Sequence, residues 1–299
     1  MLKKNLEILM VIQPDTPSMV IGDPDRLRQI ILNLVDNAIK FTEKGEIVVS
    51  VEWEETDGDA MFQFSVRDTG IGIPKGKMDV IFQNFKQGDG SPTRRHGGAG
   101  LGATIAKKLV DLMGGEIWLE SEEGAGSCFH FRVPFTLAKK KHGQEVKKMA
   151  GVLPALRVLV VDDNESSRGM LQQILSYWGP RPSACGSGEE AVKILEEEHG
   201  KGASFDLCLI DCNLPERDGF AVYKEIKNNP DLKSLEIIML TRMGVTEDTE
   251  KCMELGIRDF TTKPMRQSKL LQTVNETIKK IPGNFLSDEI GAGKNKFVV

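Results

Sequence analysis

The sequence predicts two α/β domains joined by a basic linker: an α/β sandwich with helices on one face of a mixed sheet, then a doubly wound domain with a parallel five-stranded sheet. A chain of 299 residues can bury two separate cores. The segment KKKHGQEVKKMAGVLP is basic, polar and aperiodic, which is typical of a linker. After it, strands and helices alternate, as in doubly wound folds. The predicted parts are a first domain at 1–138, a linker at 139–155, a second domain at 156–281 and a flexible tail at 282–299.

One predicted helix of the first domain, over residues 24–42, carries a polar stripe as well as an apolar face. Asp23 is placed to cap this helix, and Pro24 suits its first turn. The apolar residues recur at helical spacing and predict a core-facing side: Leu27, Ile30, Ile31, Leu34, Val35 and Ala38. A different face holds Gln29, Asn33, Asn37 and Lys40. A solvated face explains two mid-helix asparagines poorly, because Asn is a weak helix former, whereas Asn oxygen suits hydrated Mg²⁺ and Lys suits phosphate.

Glycine-rich loops are the second unusual feature of the first domain. Asp68 ends a predicted strand and is followed by Gly70 and Gly72. A later cluster leads directly into a helix: Gly97, Gly98, Gly100 and Gly102. Glycine lets a loop turn sharply near a ligand, and a helix N-terminus favours an anion such as phosphate. The remaining predicted elements are a short strand and a turn within residues 1–21, strands over 47–53, 61–67, 116–121 and 127–135, and a helix over 101–113.

These features follow one another as they do in the ATP-binding domain of sensor histidine kinases, which residues 1–138 resemble. The matching sets are Asn33-x-x-x-Asn37 with Lys40, Asp68-x-Gly70-x-Gly72, the pair Phe82 and Phe85, and Gly98-x-Gly100-Leu101-Gly102. The resemblance implies that these residues bind ATP, that Asn37 holds Mg²⁺, and that Asp68 accepts from the adenine amino group. It also implies that segment 82–95 and the glycines form a mobile lid, and that Ser127 supports the adenine pocket.

The second domain is predicted to contain five strands that alternate with helices. The predicted strands are RVLVV, a strand around 181–185, DLCLID, EIIMLT and DFTTKP. Helices are predicted over 165–178, 218–228, 246–255 and 266–281, with a further helix ending at His199. The strand order 2-1-3-4-5 places Pro182 on an edge strand, where proline is tolerated.

The polar strand ends are predicted to converge on one crevice, because carboxyl ends of parallel strands meet at one edge of a sheet. Asp162 and Asp163 end the first strand, Asp211 the third, Thr241 the fourth and Lys263 the fifth. Three close carboxylates repel one another unless a cation lies among them. The set therefore indicates a hard divalent ion such as Mg²⁺, and a site that can stabilise a phosphoryl group.

Residues 156–281 resemble the receiver domain of two-component response regulators. The resemblance implies that Asp211 is the phosphoacceptor and that Lys263 contacts the phosphoryl group. It further implies that Thr241 and Phe260 form a switch pair. The Mg²⁺ ligands implied by the resemblance are Asp162, Asp163, Asp211 and the backbone of Asn213.

Together the resemblances imply the catalytic and receiver parts of a hybrid sensor histidine kinase. Mg-ATP would give its γ-phosphoryl group to a His supplied outside this chain, and the phosphohistidine would pass it to Asp211. We expect the chain to lack the family's dimerisation domain and therefore not to phosphorylate itself on His. None of its histidines precedes Glu in an amphipathic helix: His96, His130, His142 and His199. The expected partners are ATP, a His-bearing dimerisation domain or histidine-phosphotransfer protein, and a downstream response regulator.

Two other functions stay open. A hydrolytic ATPase of the gyrase, chaperone and mismatch-repair type uses a Glu four residues before the Mg²⁺-binding Asn, where this chain has Asn33. A non-catalytic nucleotide-binding scaffold with a phosphorylation-switched receiver is the other. Its case rests on the expected lack of the His-bearing domain and on Ala99 and Ala103, which replace the usual Ser or Thr and Leu of the lid motif. Arg242 also departs from the family pattern, because a small residue usually follows Thr241; it can shield a phosphoaspartate or change partner choice.

Composition limits the remaining possibilities. A net charge of −5 and a hydrophobic content of 40% are ordinary for a globular protein and argue against nonspecific nucleic-acid binding. Five cysteines without a C-x-x-C pair suggest buried thiols in a reducing cytosol. No stretch approaches the ~20 apolar residues needed to cross a bilayer. We therefore expect a cytoplasmic chain that does not insert into a membrane.

Overall fold

The computed structural model describes residues 5–56, 59–78, 80–82, 101–138 and 153–281. The chain divides into two compact units, Met1–Met149 and Ala150–Val299. Each unit has its own β-sheet and its own helices. The predicted pair of α/β folds is confirmed, and the division falls within the segment predicted as a linker.

The first unit contains a six-stranded mixed sheet. Its elements are β1 (Asn5–Ile12), β2 (Val20–Ile21), α1 (Pro24–Phe41), β3 (Lys44–Thr56), β4 (Asp59–Asp68), α2 (Lys75–Met78), α3 (Leu101–Leu112), β5 (Glu116–Glu122) and β6 (Gly126–Leu137). The strand order is β1-β3-β4-β6-β2, and β5 pairs with residues 126–132 of β6, whereas β2 pairs with residues 136–137 of the same strand. Strands β1 and β3 run parallel, whereas the other pairs are antiparallel.

Period-two alternation in the central strands puts a layer of aromatic rings against α1 and α3. In β4, Phe62 and Phe64 are buried, and the ring of Phe64 stacks on Phe131 of β6 at a centroid distance of 4.7 Å. The helices contribute small and branched residues to the same core: Ile30, Leu34, Ala38, Ala103, Ala106 and Val110. Burying each large apolar side chain contributes about 1.5–3 kcal/mol, so this layer fixes how the two helices lie on the sheet.

Helix α1 begins and ends as its sequence signals predict. The Asp23 side chain accepts hydrogen bonds from the backbone N–H groups of Asp25 and Arg26, at 3.1 and 3.0 Å. Thr42 has extended backbone angles and caps the C-terminus, so the helix ends one residue before the predicted limit. The asparagines of the polar stripe therefore lie in the helix interior, as predicted.

The second unit is a five-stranded parallel sheet with helices between the strands. Its elements are β7 (Arg157–Val161), α4 (Glu165–Trp178), β8 (Arg181–Cys185), α5 (Gly188–Gly200), β9 (Leu207–Asp211), α6 (Gly219–Asn228), β10 (Glu236–Arg242), α7 (Thr246–Glu254), β11 (Phe260–Lys263) and α8 (Gln267–Ile278). The order is β11-β10-β9-β7-β8, which is the predicted 2-1-3-4-5 topology. Strand β8, which contains Pro182, lies at the edge, as the predicted strand order requires.

Most helix limits agree with prediction to within one residue, and the differences have local causes. Helix α6 starts at Gly219 rather than residue 218, because the Asp218 side chain accepts from the N–H of Phe220 and acts as the cap. Helix α8 ends at Ile278 rather than at residue 281. All five cysteines are free thiols, four of them buried. Among the described residues, no helix combines the length and apolar character needed to span a membrane.

Candidate functional site

In the first unit, the polar stripe of α1 meets the first turn of α3. A Cβ atom on Gly102 would lie 3.1 Å from Asn37 Nδ2 and 3.3 Å from the backbone oxygen of Asn33. Glycine at this position therefore allows a close approach of α3. Asn33, Asn37 and Lys40 are half-buried, while Gln29 is exposed.

The asparagines at this junction leave a polar group for a ligand to satisfy. Asn33 Nδ2 is buried and has no hydrogen-bond partner among the residues that the structure describes. Most buried polar atoms in folded proteins are paired. A buried amide without a partner, beside an Asn oxygen and a helix N-terminus, fits a phosphate-bearing ligand with a bound cation.

Asp68, at the end of β4, is a buried hydrogen-bond acceptor. Its Oδ1 accepts from the backbone N–H of Gly70 at 2.8 Å and from Thr42 Oγ1 at 3.5 Å. Burial raises the pKa of Asp68, although hydrogen bonds from the Gly70 and Ser127 backbones and from Thr42 oppose the rise. Strand register pairs Asp68 with Ser127 of β6, so these two predicted site residues are brought together.

The loop after Asp68 passes so close to neighbouring backbone that its glycines cannot be replaced without displacement. A Cβ atom on Gly72 would lie 1.9 Å from the carbonyl oxygen of Glu122, and Gly72 has φ +66°. On Gly70 it would lie 2.5 Å from the carbonyl oxygen of Phe41. These glycines tie the loop to the end of α1 and to β5.

Only part of the predicted lid can be placed. Phe82 packs its ring edge-to-face on Phe129 at a centroid distance of 6.1 Å. Phe85, Gly98 and Gly100 lie outside the described residues, as do the side chain of Leu101 and the residues Ala99, His96 and His142.

In the second unit, three of the predicted charged residues form one buried cluster. Lys263 Nζ donates to Asp211 Oδ2 and, at 2.6 Å, to Asp162 Oδ2. Carboxylate oxygens of Asp162 and Asp211 lie within 4.8 Å of each other. Asp211 is 4% exposed and Lys263 is 6% exposed. Asp163 is exposed beside this cluster, and the N–H of Asn213 donates to Asp211 Oδ1 at 2.8 Å.

The electrostatics of this cluster favour a further cation. Burial raises the pKa of Asp211, opposed by the charge of Lys263 and reinforced by Asp162. Partial desolvation at the edge of the cluster also raises the pKa of Asp163, with a further contribution from the charge of Asp162. The Asp162 and Asp211 carboxylates share one buried ammonium group, Asp163 adds a third carboxylate beside them, and carboxylate and carbonyl oxygens are the ligands that Mg²⁺ prefers. The residues present therefore fit a hard divalent cation.

Thr241 is oriented differently from the other predicted residues of this crevice. Its side chain is fully buried, and its hydroxyl lies 3.3 Å from the carbonyl oxygen of Thr261 and 3.2 Å from Thr262 Oγ1. Both partners belong to β11 rather than to the acidic cluster. Phe260, the other predicted switch residue, is half-buried against the core.

The candidate sites of the two units lie in regions that match two known protein families. Residues 22–137 match the family described as "Histidine kinase-, DNA gyrase B-, and HSP90-like ATPase", and residues 158–275 match the response regulator receiver domain. "Sensory/regulatory protein RpfC" of Xanthomonas campestris pv. campestris is 30% identical over 91% of the chain, and "Hybrid signal transduction histidine kinase K" of Dictyostelium discoideum is 30% identical over 95%. This chain is homologous to hybrid histidine kinases.

One solved structure is similar to almost the whole of this chain. The crystal structure of full-length ShkA in complex with AMPPNP matches 97% of this chain and 54% of that chain, with a TM-score of 0.68 and 26% identity. The chain spans 41% of the length of RpfC and 25% of the Dictyostelium protein. The first unit is thus an ATPase domain of the histidine kinase type, and the second is a receiver domain.

In the ATPase domain, two hydroxyl residues that support Asp68 and its loop were not among the predicted site residues. Thr42 contacts Asp68, as described above. Ser121 Oγ accepts from the N–H of Ile73 at 2.9 Å and lies 3.0 Å from Ser127 Oγ. The Ser121 contact depends on how β5 and β6 pair and the Thr42 contact on how the end of α1 lies against β4, and no local sequence signal marks either.

In the receiver domain, three residues that position the acidic cluster were likewise not predicted. Ser167 Oγ donates to Asp162 Oδ2 at 2.6 Å, and the N–H of Asn164 donates to Asp162 Oδ1 at 3.0 Å. A Cβ atom on Gly219 would lie 2.0 Å from the carbonyl oxygen of Asp211. Asn164 also caps α4 through its contact with the Ser167 N–H, and the cap signal in Asn164-Glu165 was the one available clue.

Proposed function

We propose that this chain carries two steps of a phosphorelay. The ATPase domain, residues 1–138, transfers the γ-phosphoryl group of Mg-ATP to a His that lies outside this chain. The receiver domain, residues 156–281, then accepts that group on Asp211. The observation that carries the proposal is the buried cluster in which Lys263 bridges Asp162 and Asp211. The proposal places the chain in the cytoplasm, where ATP is supplied.

The nucleotide step needs positioning more than it needs a strong base on this chain. The attacking His nitrogen forms a bond to the γ-phosphorus, the bond to the β–γ bridging oxygen breaks, and ADP leaves with that electron pair. The imidazole then releases the proton of its other nitrogen to solvent. Asp68 orients the adenine through its buried carboxylate, while Asn33, Asn37 and Lys40 face the phosphates. Mg²⁺, when bound at Asn37, supplies positive charge to the phosphate oxygens. The similar ShkA structure, which contains AMPPNP, supports nucleotide binding at this site.

The receiver step transfers the phosphoryl group from nitrogen to oxygen. A carboxylate oxygen of Asp211 attacks the phosphorus, the P–N bond breaks, and the imidazole keeps that electron pair and takes up a proton from solvent. Lys263 Nζ lies against Asp211 and can hold the charge that collects on the transferring group. The Mg²⁺ ligands would be Asp162, Asp163, Asp211 and the backbone of Asn213, and Thr241 would respond to the product.

The structure gives no support to water-activated ATP hydrolysis on α1. The position that holds the general base in hydrolytic relatives is Asn33, whose amide cannot take a proton from water. Transfer to a His needs no such base, because the imidazole nitrogen is itself a nucleophile.

Binding of Mg-ATP to the full chain tests the ATPase half of the proposal. We expect Asn37→Ala to remove most of the Mg²⁺-dependent part of ATP affinity, at least about tenfold, because even outer-shell partners of a bound metal have effects of that size. Calorimetric titration with ATP, with and without Mg²⁺, measures this difference. The adenine contacts remain in the variant, so metal-free ATP binding should be unchanged.

Asp36→Ala is the matched control, since Asp36 is a neighbouring exposed residue of α1. It should bind Mg-ATP as the wild type does. Failure of the wild type to bind ATP would refute the kinase proposal and leave a switch driven by the receiver alone. An Asn37→Ala variant that keeps its full response to Mg²⁺ would show that Asn37 is not the metal ligand.

A further inference from the structure

Arg242, the last residue of β10, binds side chains from two neighbouring segments of the receiver domain. Its Nε and Nη2 donate to Asp248 Oδ2 and Oδ1 at 3.0 and 2.9 Å, and its backbone N–H donates to Asp248 Oδ2 at 3.1 Å. Its Nη1 donates to Asn213 Oδ1 at 2.9 Å. The guanidinium group thus links the loop after Asp211 to the first turn of α7.

The surroundings of this guanidinium group leave it room to move. Arg242 lines an open cavity of about 360 Å³, together with Asn213, Asp218, Asp248 and Lys251. The Arg242 side chain is 42% exposed, while that of Asp248 is 7% exposed. Asn213 connects this cavity to the predicted acceptor, because its N–H bonds to Asp211 Oδ1 while its side chain bonds to Arg242.

We infer that Arg242 is a second cationic ligand for the phosphoryl group on Asp211, alongside Lys263, and that Asp248 holds it in reserve until that group arrives. The inference rests on the proposed role of Asp211 as phosphoacceptor. A phosphoryl group brings two negative charges and three acceptor oxygens to a crevice whose only buried cation, among the described residues, is Lys263. Arg suits this task because its planar fork binds phosphate in a bidentate manner.

The energetics of this exchange follow from competition for one guanidinium group. Binding of a phosphoryl group gains the new hydrogen bonds and loses those to Asp248 and Asn213, so only the difference appears in the affinity. Weakening the resting contacts should therefore strengthen phosphoryl binding, whereas removing Arg242 should weaken it. A residue with a purely structural role would give effects of the same sign for both changes.

Beryllofluoride provides an equilibrium test, because it coordinates to a carboxylate oxygen as a tetrahedral analogue of a phosphoryl group. The measurement is the beryllofluoride concentration that half-saturates the full chain in Mg²⁺, followed by the bound ¹⁹F signal. We expect Arg242→Ala to raise this concentration about tenfold, the loss that follows from one charge-assisted hydrogen bond. Arg242→Lys should give a concentration between those of the wild type and Arg242→Ala, because Lys keeps the positive charge and loses the planar, bidentate guanidinium group.

Variants on the resting side should act in the opposite direction. Asp248→Asn keeps the shape of the buried side chain and removes its charge, and Asn213→Ala changes an exposed side chain that the fold tolerates. Each should lower the half-saturating concentration. Arg217→Ala is the matched control, since Arg217 lines the same cavity and is paired with Glu225. It should leave the concentration unchanged.

Each outcome decides a different point. Opposite shifts for the Arg242 variants and the Asp248 and Asn213 variants support the inference. Shifts in the same direction, or no shift in Arg242→Ala, overturn it and leave the role of Asp211 intact. Absence of any bound signal in the wild type overturns the proposed acceptor and the inference with it.

Discussion

Replacing Asp211 with Asn is expected to abolish phosphoryl acceptance by the receiver domain and to raise the thermal stability of that domain at neutral pH. The first effect is a complete loss, because the amide oxygen is a poor nucleophile and cannot form a stable acyl phosphate. Labelling of the full chain by an acyl phosphate such as acetyl phosphate, in the presence of Mg²⁺, measures it. The wild type should be labelled on Asp211, and the variant should not.

The stability effect follows from the raised pKa of Asp211, caused first by burial. A group whose pKa is raised on folding contributes stability that is complete below its unfolded pKa and is lost as pH rises through its folded pKa. At pH 7 the ionised carboxylate therefore costs stability, and neutral Asn does not. We expect the melting temperature to rise by a few degrees, at about 4 °C per kcal/mol for a domain of this size.

The same reasoning sets the control and the pH dependence. Asp231→Asn, at an exposed position of the receiver domain, should leave both labelling and melting temperature unchanged. The gain in Asp211→Asn should shrink as pH falls through the raised folded-state pKa of Asp211 and should be gone below the unfolded pKa of Asp, because the wild-type carboxyl is then neutral in both states. A lower melting temperature at pH 7 would mean that the contact with Lys263 outweighs the cost of burial. Labelling of the variant would rule out Asp211 as the acceptor.

Replacing Asp68 with Asn is expected to weaken ATP binding by about ten- to a hundredfold, the loss of one hydrogen bond to a charged acceptor. The carboxylate of Asp68 is surrounded by donors: the N–H groups of Gly70 and Ser127 and the hydroxyl of Thr42. An Asn side chain must turn its NH₂ group either toward these donors or toward the adenine amino group. Both orientations leave two donors facing each other.

Acid should produce a similar loss in the wild type. Burial raises the pKa of Asp68, so protonation begins at a higher pH than for an exposed Asp, and the neutral carboxyl becomes a poorer acceptor. We therefore expect wild-type ATP affinity to fall as pH falls through this raised pKa, and the residual affinity of Asp68→Asn to be much less sensitive to pH. Calorimetric titration at several pH values tests both expectations.

The control for this prediction is Asp36→Asn, at an exposed position of α1. It should retain wild-type affinity and a wild-type pH profile. An Asp68→Asn variant that binds ATP normally would refute the assignment of Asp68 to the adenine. A pH profile that survives in this variant would locate the titrating group elsewhere.

The receiver sheet shows what sequence can predict well. Regular alternation of strands and helices predicted a doubly wound parallel sheet, and parallel strands bring their carboxyl ends to one edge. The meeting of Asp162, Asp211 and Lys263 therefore needed no knowledge of side-chain conformation. The edge position of β8 followed from the same strand order, and Pro182 is compatible with it, because an internal strand would lose a ladder hydrogen bond there.

Side-chain orientation and contacts between distant loops could not be predicted in this way. Thr241 was placed in the acidic crevice from its position at a strand end, yet its hydroxyl bonds to β11. Ser121 reaches Ser127 only through the register of β5 and β6. The contact between Arg242 and Asp248, six residues further along the chain, depends on the rotamer of the Arg242 side chain. Strand pairing and rotamer choice are set by the folded environment, so local patterns carry little information about them.

The central claim is that this chain passes a phosphoryl group from ATP to Asp211 through an external His. It is tested most directly by following a label on the γ-phosphate of ATP as it moves between proteins. The full chain is incubated with γ-labelled Mg-ATP and dimerisation domains from several related hybrid kinases, and samples are taken over time. The account predicts label first on the added domain and then on the chain, with Asp211→Asn leaving it on the added domain. Label on the chain without an added domain would contradict the account. So would a chain that binds Mg-ATP and labels none of the added domains.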